Sequence, residues 1–239
     1  YVSTYGVFVA GRAFDQIRTT ICYSELNVKI GGAHGGISVG PDGATHQALE
    51  EIALMRVLPT MKVIVPCDYI ETRKATIASY YEKGPVYIRF GREPVPIITS
   101  DDTPFTFGKG EIYKEGNDVS IIACGPLVSE AIDASEELSK EGISARVINL
   151  HTVKPIDEDI IIKAARETHA IVAAEEHQLF AGFGSAVAEV VVKNYPVPME
   201  FVGINDTFGE SGEPDELMKA YGLTSLDIYK KVKKVLERK

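Results

Sequence analysis

Two histidines and an aspartate lie within one glycine-rich stretch, GAHGGISVGPDGATHQ, which covers residues 32–47. The chain has only five histidines, and two of them, His34 and His46, stand here on either side of Asp42. Imidazoles exchange protons with hydroxyl and carbonyl oxygens near neutral pH, and a carboxylate can orient an alcohol or a neighbouring imidazole. Glycines let the backbone approach a ligand closely. These residue types point to proton transfer at the oxygen atoms of a bound substrate.

Two other interpretations are open on the residues alone. Asp42 or Thr45 could cap the following helix, which would leave both histidines as ordinary surface residues. A zinc site is the third interpretation, but a His, Asp, His set without an HExxH motif or a cysteine partner is weak support for a metal.

The elements around this stretch would bring both histidines to one crevice. The run NVKIGGA before it predicts a buried strand, and HQALEEIALMRVL after it predicts a helix that stops before Pro59. His34 would then follow the strand, and His46 would begin the helix. Ligands of open α/β sheets bind outside the carboxyl ends of the strands, which is where this loop would lie.

The whole chain alternates predicted strands and helices, which indicates an α/β fold with mainly parallel sheets. Near the start of the chain, apolar residues spaced by three and four positions predict one face of a helix, namely Val7, Ala10, Phe14, Ile17 and Ile21. Asp68 is placed to cap a later helix in DYIETRKATIASYYEKG. The second half predicts a strand at DVSIIAC, a helix whose face includes Leu127 and Leu138, further strands at ARVINL, AIVAAEE and MEFVGI, and a last helix near Ile228.

The segment from Arg92 to about residue 117 has three prolines and no periodicity, so it predicts a linker, and we place the domain boundary near residue 105. The glycine-rich AGFGSAV (181–187) could begin a helix either as an anion site or as a tightly packed entry. His151 and His177 have no partner motif, and we expect them to be structural or interface residues.

Composition excludes several classes of protein. A net charge of −9 over 239 residues argues against nucleic-acid binding, and no apolar run is long enough for a membrane span. The three cysteines are far apart in apolar sequence, which predicts buried, reduced thiols in a cytoplasmic protein. The chain begins with Tyr1 and not with Met, so we expect residues to precede it.

Long motifs of the chain resemble one enzyme family, the transketolases. GGISVGPDGATHQALEEIALMRVLPTMKVIVPCD is similar to the family's pyrimidine-binding domain, with STYGVFVAGRAFDQIR upstream and GPVYIRFGREP downstream. EEHQLFAGFGSAVAEVV and DTFGESGEPDELMKAYGLT resemble its C-terminal domain. The resemblance implies two three-layer α/β/α domains: a pyrimidine-binding domain at 1–105, without its first strand and helix, and a C-terminal-like domain at 106–239.

The resemblance also assigns roles to single residues. His34 and His46 match histidines that contact the sugar's hydroxyl and carbonyl oxygens, and Asp42 matches the aspartate that recognises the C2 hydroxyl. Arg92 matches an arginine that binds the substrate's terminal phosphate. Arg89 precedes it on the same predicted strand, and we expect both arginines to point the same way.

Two aromatic residues match the pocket for the aminopyrimidine ring of thiamine diphosphate, namely Tyr5 and Phe8. A third aromatic residue of the pattern falls at Gly11 or Arg12, so this pocket has fewer aromatic rings than the family pattern. The family's essential glutamate, in an R-E-like motif upstream, is not among these 239 residues, and we expect it before Tyr1.

The resemblance implies a split transketolase, in which this chain transfers a two-carbon ketol unit between sugar phosphates only together with an N-terminal partner chain. No diphosphate or metal motif is evident here, so the ligands of the cofactor's Mg²⁺ are expected on the partner, in an assembly of two copies of each chain. Two alternatives are open: a thiamine enzyme of the deoxyxylulose-phosphate synthase type, which shares D-G-x-T-H, and a non-catalytic assembly subunit of the same fold.

Overall fold

The computed structural model describes all residues, 1–239, and contains two five-stranded sheets. The first sheet has the order β1-β2-β4-β3-β8. Its strands are β1 (Val2–Tyr5), β2 (Lys29–Ala33), β3 (Lys62–Ile64), β4 (Val86–Arg89) and β8 (Thr152–Lys154). All neighbours in this sheet are parallel except β3 and β8, which are antiparallel. Because β8 comes from the second half of the chain, the second half completes the first sheet.

The predicted amphipathic helix after β1 is present, but it is irregular. It consists of α1 (Phe14–Gln16) between two π-helical segments, Phe8–Arg12 and Ile17–Cys22. Of the predicted apolar face, Ala10 and Ile17 are fully buried and the other three are partly buried. The π-helical turns change the 3.6-residue period, so the sequence pattern identifies the helix but not its geometry.

Helix α2 (Glu51–Val57) connects β2 to β3, and helix α3 (Tyr69–Tyr81) connects β3 to β4. The predicted cap of α3 is confirmed: the Asp68 carboxylate accepts a hydrogen bond from the backbone N–H of Glu71. The same carboxylate accepts the backbone N–H groups of Ile98 and Thr99. Asp68 therefore fixes both the start of α3 and the linker that follows β4.

Burial alone would raise the pKa of Asp68, but its hydrogen bonds outweigh burial and lower the pKa. A carboxyl group whose pKa is lower in the folded protein than in the unfolded chain stabilises the fold. This stabilisation is complete above the unfolded-chain pKa of about 4 and is lost as the pH falls through the lower pKa of the folded protein. We expect Asp68→Ala to cost at least about 2 kcal/mol at pH 7 and less below about pH 4. Denaturant unfolding at both pH values checks this, with the exposed Asp102→Ala as control; equal losses at the two pH values would contradict it.

The second sheet has the order β10-β9-β6-β7-β5, and only its edge pair β5·β7 is antiparallel. Its strands are β5 (Glu111–Lys114), β6 (Val119–Ala123), β7 (Ala145–Asn149), β9 (Ile171–Gln178) and β10 (Met199–Ile204). The helices of this half are α4 (Leu127–Lys140), α5 (Glu158–Thr168), α6 (Phe183–Asn194), α7 (Pro214–Ala220) and α8 (Ser225–Leu236). The sequence pattern did not predict β1, β5, β8 or α7, which are all short.

Neighbouring residues of β6 belong to different apolar layers. Ile121 is in the core that contains Leu127 of α4 and Ile228 of α8, whereas Ile122 is in the core that contains Ile161 of α5 and Phe183 of α6. Successive side chains of a strand point to opposite faces, so helices cover both faces of this sheet. The predicted α/β fold with two mainly parallel sheets is confirmed.

One apolar core runs through both halves of the chain: Ile30 and Tyr87 of the first sheet share it with Ile122 and Phe183 of the second half. The three cysteines are buried and unpaired, as predicted. None of the helices combines the length and the apolar character needed to cross a membrane.

Candidate functional site

The predicted site residues come together at the carboxyl ends of three parallel strands. Tyr5 is the last residue of β1, His34 directly follows β2, and Arg92 lies three residues beyond the end of β4. These strands are neighbours in the sheet. The edge where they end is the usual ligand-binding edge of an open α/β sheet.

The two histidines and the two aromatic residues form one cluster of rings. The Tyr5 ring stacks on His34 with centroids 4.2 Å apart, and Phe8 meets the edge of His46 at 5.2 Å. Tyr5 is also 5.6 Å from His46. All four side chains are only half-buried. The structure thus brings together residues that are up to 41 positions apart in the sequence (46 − 5).

The expected place of His46 needs correction. It was predicted to begin a helix, but it lies in a turn and α2 starts only at Glu51. The two ends of the segment are joined to each other, because Gly35 and Ala48 form an isolated bridge and the N–H of Gly36 donates to the Ala48 carbonyl at 2.8 Å. The segment that carries both histidines therefore folds back on itself.

The hydrogen bonds of the two imidazoles differ. Nδ1 of His46 is 2.9 Å from the Thr45 hydroxyl, which leaves its Nε2 free to face a ligand. Nδ1 of His34 is buried and has no hydrogen-bond partner. A buried polar atom without a partner costs free energy, and a ligand group that reaches it would recover that cost.

Asp42, on the same loop as the two histidines, pairs with Arg92. Nη1 of Arg92 is 3.4 Å from Oδ1 of Asp42 and donates to the Val39 carbonyl at 3.1 Å. The Arg92 side chain is 37% exposed and that of Asp42 is 33% exposed. A partly exposed guanidinium can bind an anionic group from solution, and a phosphate matches its geometry.

The structure does not support the two alternative interpretations of this stretch. The N-cap of α2 is Glu50, which makes no side-chain capping bond, so neither Asp42 nor Thr45 caps that helix. His34, Asp42 and His46 do not converge as metal ligands, since no group of three or more His, Cys, Asp or Glu side chains in the chain is arranged to hold a metal ion.

Arg89 does not point the same way as Arg92, and that expectation is wrong. Its side chain is only 1% exposed: Nε donates to Glu51 at 2.9 Å, and Nη1 lies 3.5 Å from the Glu176 carboxylate. Arg89 is three positions from Arg92 and ends β4, so the strand places its side chain in the interior. Arg89 is therefore buried away from a substrate and is not one of its ligands.

We call Arg89, Glu51 and Glu176 the Arg89 cluster. Burial raises the pKa of both carboxyl groups, and Arg89 only partly offsets this effect. Burial lowers the pKa of Arg89, but the two carboxylates outweigh burial and raise it. The guanidinium thus stays charged in the interior, where each partner depends on the others.

Sequence reasoning did not predict that Glu176, on β9 of the second domain, would contact Arg89 and the loop that carries the histidines. The available signal was the pair of acidic residues in EEHQ at the end of a predicted strand. His177, in the same segment, was expected to be structural or an interface residue, and it is fully buried within the chain. The helix start at AGFGSAV binds an internal anion: Glu175 accepts the N–H groups of Phe183 and Gly184 at 2.6 and 2.8 Å.

Gly36 is confined both by its backbone and by Glu176. Its φ of 94° and ψ of −178° lie in a region that is open essentially to glycine alone, and an added Cβ would lie 2.2 Å from the Glu176 carboxyl carbon. We expect Gly36→Ala to cost about 3 kcal/mol or more in the free energy of unfolding. Gly84→Ala is the control, because Gly84 also has a positive φ but has no atom within 4 Å. Equal losses in the two variants, measured by denaturant unfolding, would contradict the clash.

Two family models match the chain. The model of the transketolase pyrimidine binding domain matches residues 1–97, and the model of the transketolase C-terminal domain matches residues 108–228. Together they cover both halves of the fold. The family and the fold that the motifs indicated are thereby confirmed.

Individual relatives agree with the family models. A transketolase C-terminal section of Methanocaldococcus jannaschii is 44% identical over 243 residues, which cover the whole of this chain and 75% of that protein. The 6-deoxy-6-sulfo-D-fructose transketolase subunit SqwH of a Clostridium species is 41% identical over all of this chain and 74% of its own length. A solved split-gene transketolase, described as an inactive beta4 tetramer, superposes with a TM-score of 0.94 at 49% identity over 99% of this chain and 76% of that one. The chain therefore belongs to the transketolase family and contains its pyrimidine-binding and C-terminal domains.

Proposed function

We propose that this chain supplies one wall of a transketolase active site, which transfers a two-carbon ketol unit between ketose and aldose phosphates. The observation that carries the proposal is that the ring cluster of Tyr5, Phe8, His34 and His46 and the Asp42–Arg92 pair lie at the same edge of the sheet. It combines proton-transfer groups, a carboxylate and an accessible cation at one edge of the sheet. A phosphorylated polyhydroxy substrate requires all three.

Members of the family use thiamine diphosphate, and the residues present fit its aminopyrimidine ring. Tyr5 and Phe8 offer half-buried aromatic surface, and the His34 ring, whose Nδ1 has no partner, stacks on Tyr5. We infer that Tyr5 and Phe8 contact the pyrimidine. Thiamine diphosphate supplies the carbanion chemistry of ketol transfer when it is bound.

The polar groups of the wall would act on the sugar. His34 and His46 would hydrogen-bond its hydroxyl and carbonyl oxygens and move protons at those oxygens during carbon–carbon cleavage. Asp42 would select the configuration of the C2 hydroxyl by accepting its hydrogen bond. Arg92 would exchange its partners Asp42 and Glu93, at 3.4 and 3.5 Å, for the terminal phosphate, which is a stronger bidentate acceptor.

We further propose that the chain is active only with an N-terminal partner chain, in an assembly with two copies of each. The ligands of Mg²⁺ and of the cofactor's diphosphate would lie on that partner. The similar split-gene chain forms a beta4 tetramer that is described as inactive, which supports a requirement for another chain. The pocket between the two chains would close over the ring cluster.

A paired assay tests the type of reaction. The reconstituted complex of this chain with its N-terminal partner, loaded with thiamine diphosphate and Mg²⁺, is given a ketose phosphate and an aldose phosphate, or pyruvate and an aldose phosphate. We expect ketol transfer from the ketose and no release of CO₂ from pyruvate. Release of CO₂ without ketose cleavage would indicate an enzyme of the deoxyxylulose-phosphate synthase type, and no reaction of either kind would indicate an assembly subunit.

A further inference from the structure

The second domain contacts the histidine-bearing loop directly. Glu176, near the end of β9, accepts the backbone N–H of Ser38 at its Oε1 at 2.8 Å. The Glu176 carboxylate is completely buried, and Ser38 lies between His34 and Asp42. A carboxylate makes a stronger hydrogen bond with a backbone N–H than a neutral acceptor does. This bond joins the loop to a different domain.

The position of Glu176 is itself fixed by the Arg89 cluster. Nη2 of Arg89 donates to the backbone carbonyl of Glu176 at 2.8 Å, while Nη1 faces its carboxylate. The Arg89 side chain also fills the space beneath Gly35, where an added Cβ would lie 2.3 Å from Nε. Arg89 thus supports both the loop and the residue that holds the loop.

A second contact lies at the other end of the loop. Nε2 of Gln47 donates to the carbonyl of Ile37 at 3.1 Å and to the carbonyl of Glu210 at 2.9 Å. The segment 209–214 lies so close that an added Cβ at Gly43 would be 2.5 Å from the Ser211 hydroxyl oxygen. The loop is therefore held from the second domain at two separate points.

The loop needs such support because its own conformation is unfavourable. His34 has a φ of 57°, and Gly36, Gly40 and Gly43 also have positive φ values. A residue other than glycine in this region costs about 1–3 kcal/mol and persists only where its surroundings determine it. The backbone at His34 decides where its imidazole meets Tyr5.

We propose that Glu176 is a positioning residue. Together with the segment 209–214 of the second domain, it holds the loop from His34 to His46 in the conformation that forms the ring cluster. This inference rests on the proposed function for its catalytic consequence, but the contact between domains can be tested without turnover.

Hydrogen–deuterium exchange of the intact chain tests the positioning role, with Glu175 as the matched control. Glu175 lies on the same strand and is equally buried, but its carboxylate binds the start of α6 and not the loop. We expect Glu176→Ala to speed exchange in residues 34–43 about 10- to 100-fold, the effect of losing one charge-assisted bond. Glu175→Ala should speed exchange near residues 182–186 and leave the loop unchanged.

Should an alanine variant fail to fold, the pair Glu176→Asp and Glu175→Asp repeats the test. The shorter side chain keeps a carboxylate at the same position of the strand but draws its oxygens away from Ser38, so loop exchange should again rise only in the Glu176 variant. In the reconstituted complex, Glu176→Asp should lower kcat/KM for the ketose phosphate at least about 10-fold and Glu175→Asp less than about 3-fold.

Unchanged loop exchange in the Glu176 variants, or an equal rise in the Glu175 variants, would overturn the positioning role. If the wild-type complex transfers no ketol group, the proposed function fails while the exchange experiment still decides whether Glu176 holds the loop.

Discussion

Replacement of His46 by alanine is expected to lower ketol transfer by the reconstituted complex about 10²- to 10⁴-fold, the usual contribution of a positioned acid–base group. His46 lies beside Phe8 and Tyr5, with Nδ1 bonded to Thr45 and Nε2 left for the substrate. The loss should fall mainly on kcat, because the proton transfer occurs in the transition state. Steady-state kinetics with a ketose phosphate donor measures both constants.

A matched control for this variant is His169→Asn. His169 is exposed, ends α5 with a φ of 53° and lies in the second domain, and asparagine tolerates that backbone conformation. The control should keep activity within about 2-fold and should unfold at the wild-type denaturant concentration, because a change at the surface costs within about 0.5 kcal/mol. Full activity in His46→Ala would remove His46 from the chemistry and would favour the assembly-subunit alternative.

Replacement of Arg89 by methionine is expected to cost about 3–5 kcal/mol in the free energy of unfolding. The change leaves the buried carboxylates of Glu51 and Glu176 without their cation, although methionine fills much of the same volume. For a chain of this size the loss corresponds to a fall in Tm of roughly 10 °C. Thermal and denaturant unfolding of the chain measure it.

Arg92→Met is the control for Arg89→Met, because both arginines lie near the end of β4 but Arg89 is buried and Arg92 is partly exposed. Arg92 is partly exposed and its pair with Asp42 is at the surface, so its loss should cost less than about 1 kcal/mol. The same variant should raise KM for the sugar phosphate in the complex. Equal destabilisation by the two variants would contradict the buried role of Arg89.

The local chemistry of the chain could be predicted because it depends on residues close together in the sequence. The cap at Asp68 needs only a residue type and the start of a helix, and the place of His34 needs only the end of an apolar strand. The buried face of α4, which includes Leu127, Ala131, Ala134 and Leu138, follows from a regular helical period.

Features that depend on distant residues could not be predicted in this way. Nothing near Arg89 in the sequence indicates that Glu51 and Glu176 will surround it, so the sequence alone indicates a ligand where the structure has a buried ion pair. The strand β8 pairs with β3 across about 90 positions, and three residues carry too short a pattern to reveal it. The turn at His46 depends on the bridge between Gly35 and Ala48, which the helical period of the following segment concealed.

The measurement that tests the central claim most directly is the rate of ketol transfer by this chain alone, by the N-terminal partner alone and by mixtures of increasing ratio, each with thiamine diphosphate and Mg²⁺. The account predicts no transfer by either chain alone and a rate that rises until the two chains are equimolar. Transfer by this chain without a partner, or no transfer at any ratio, would contradict the claim that it forms half of the active site.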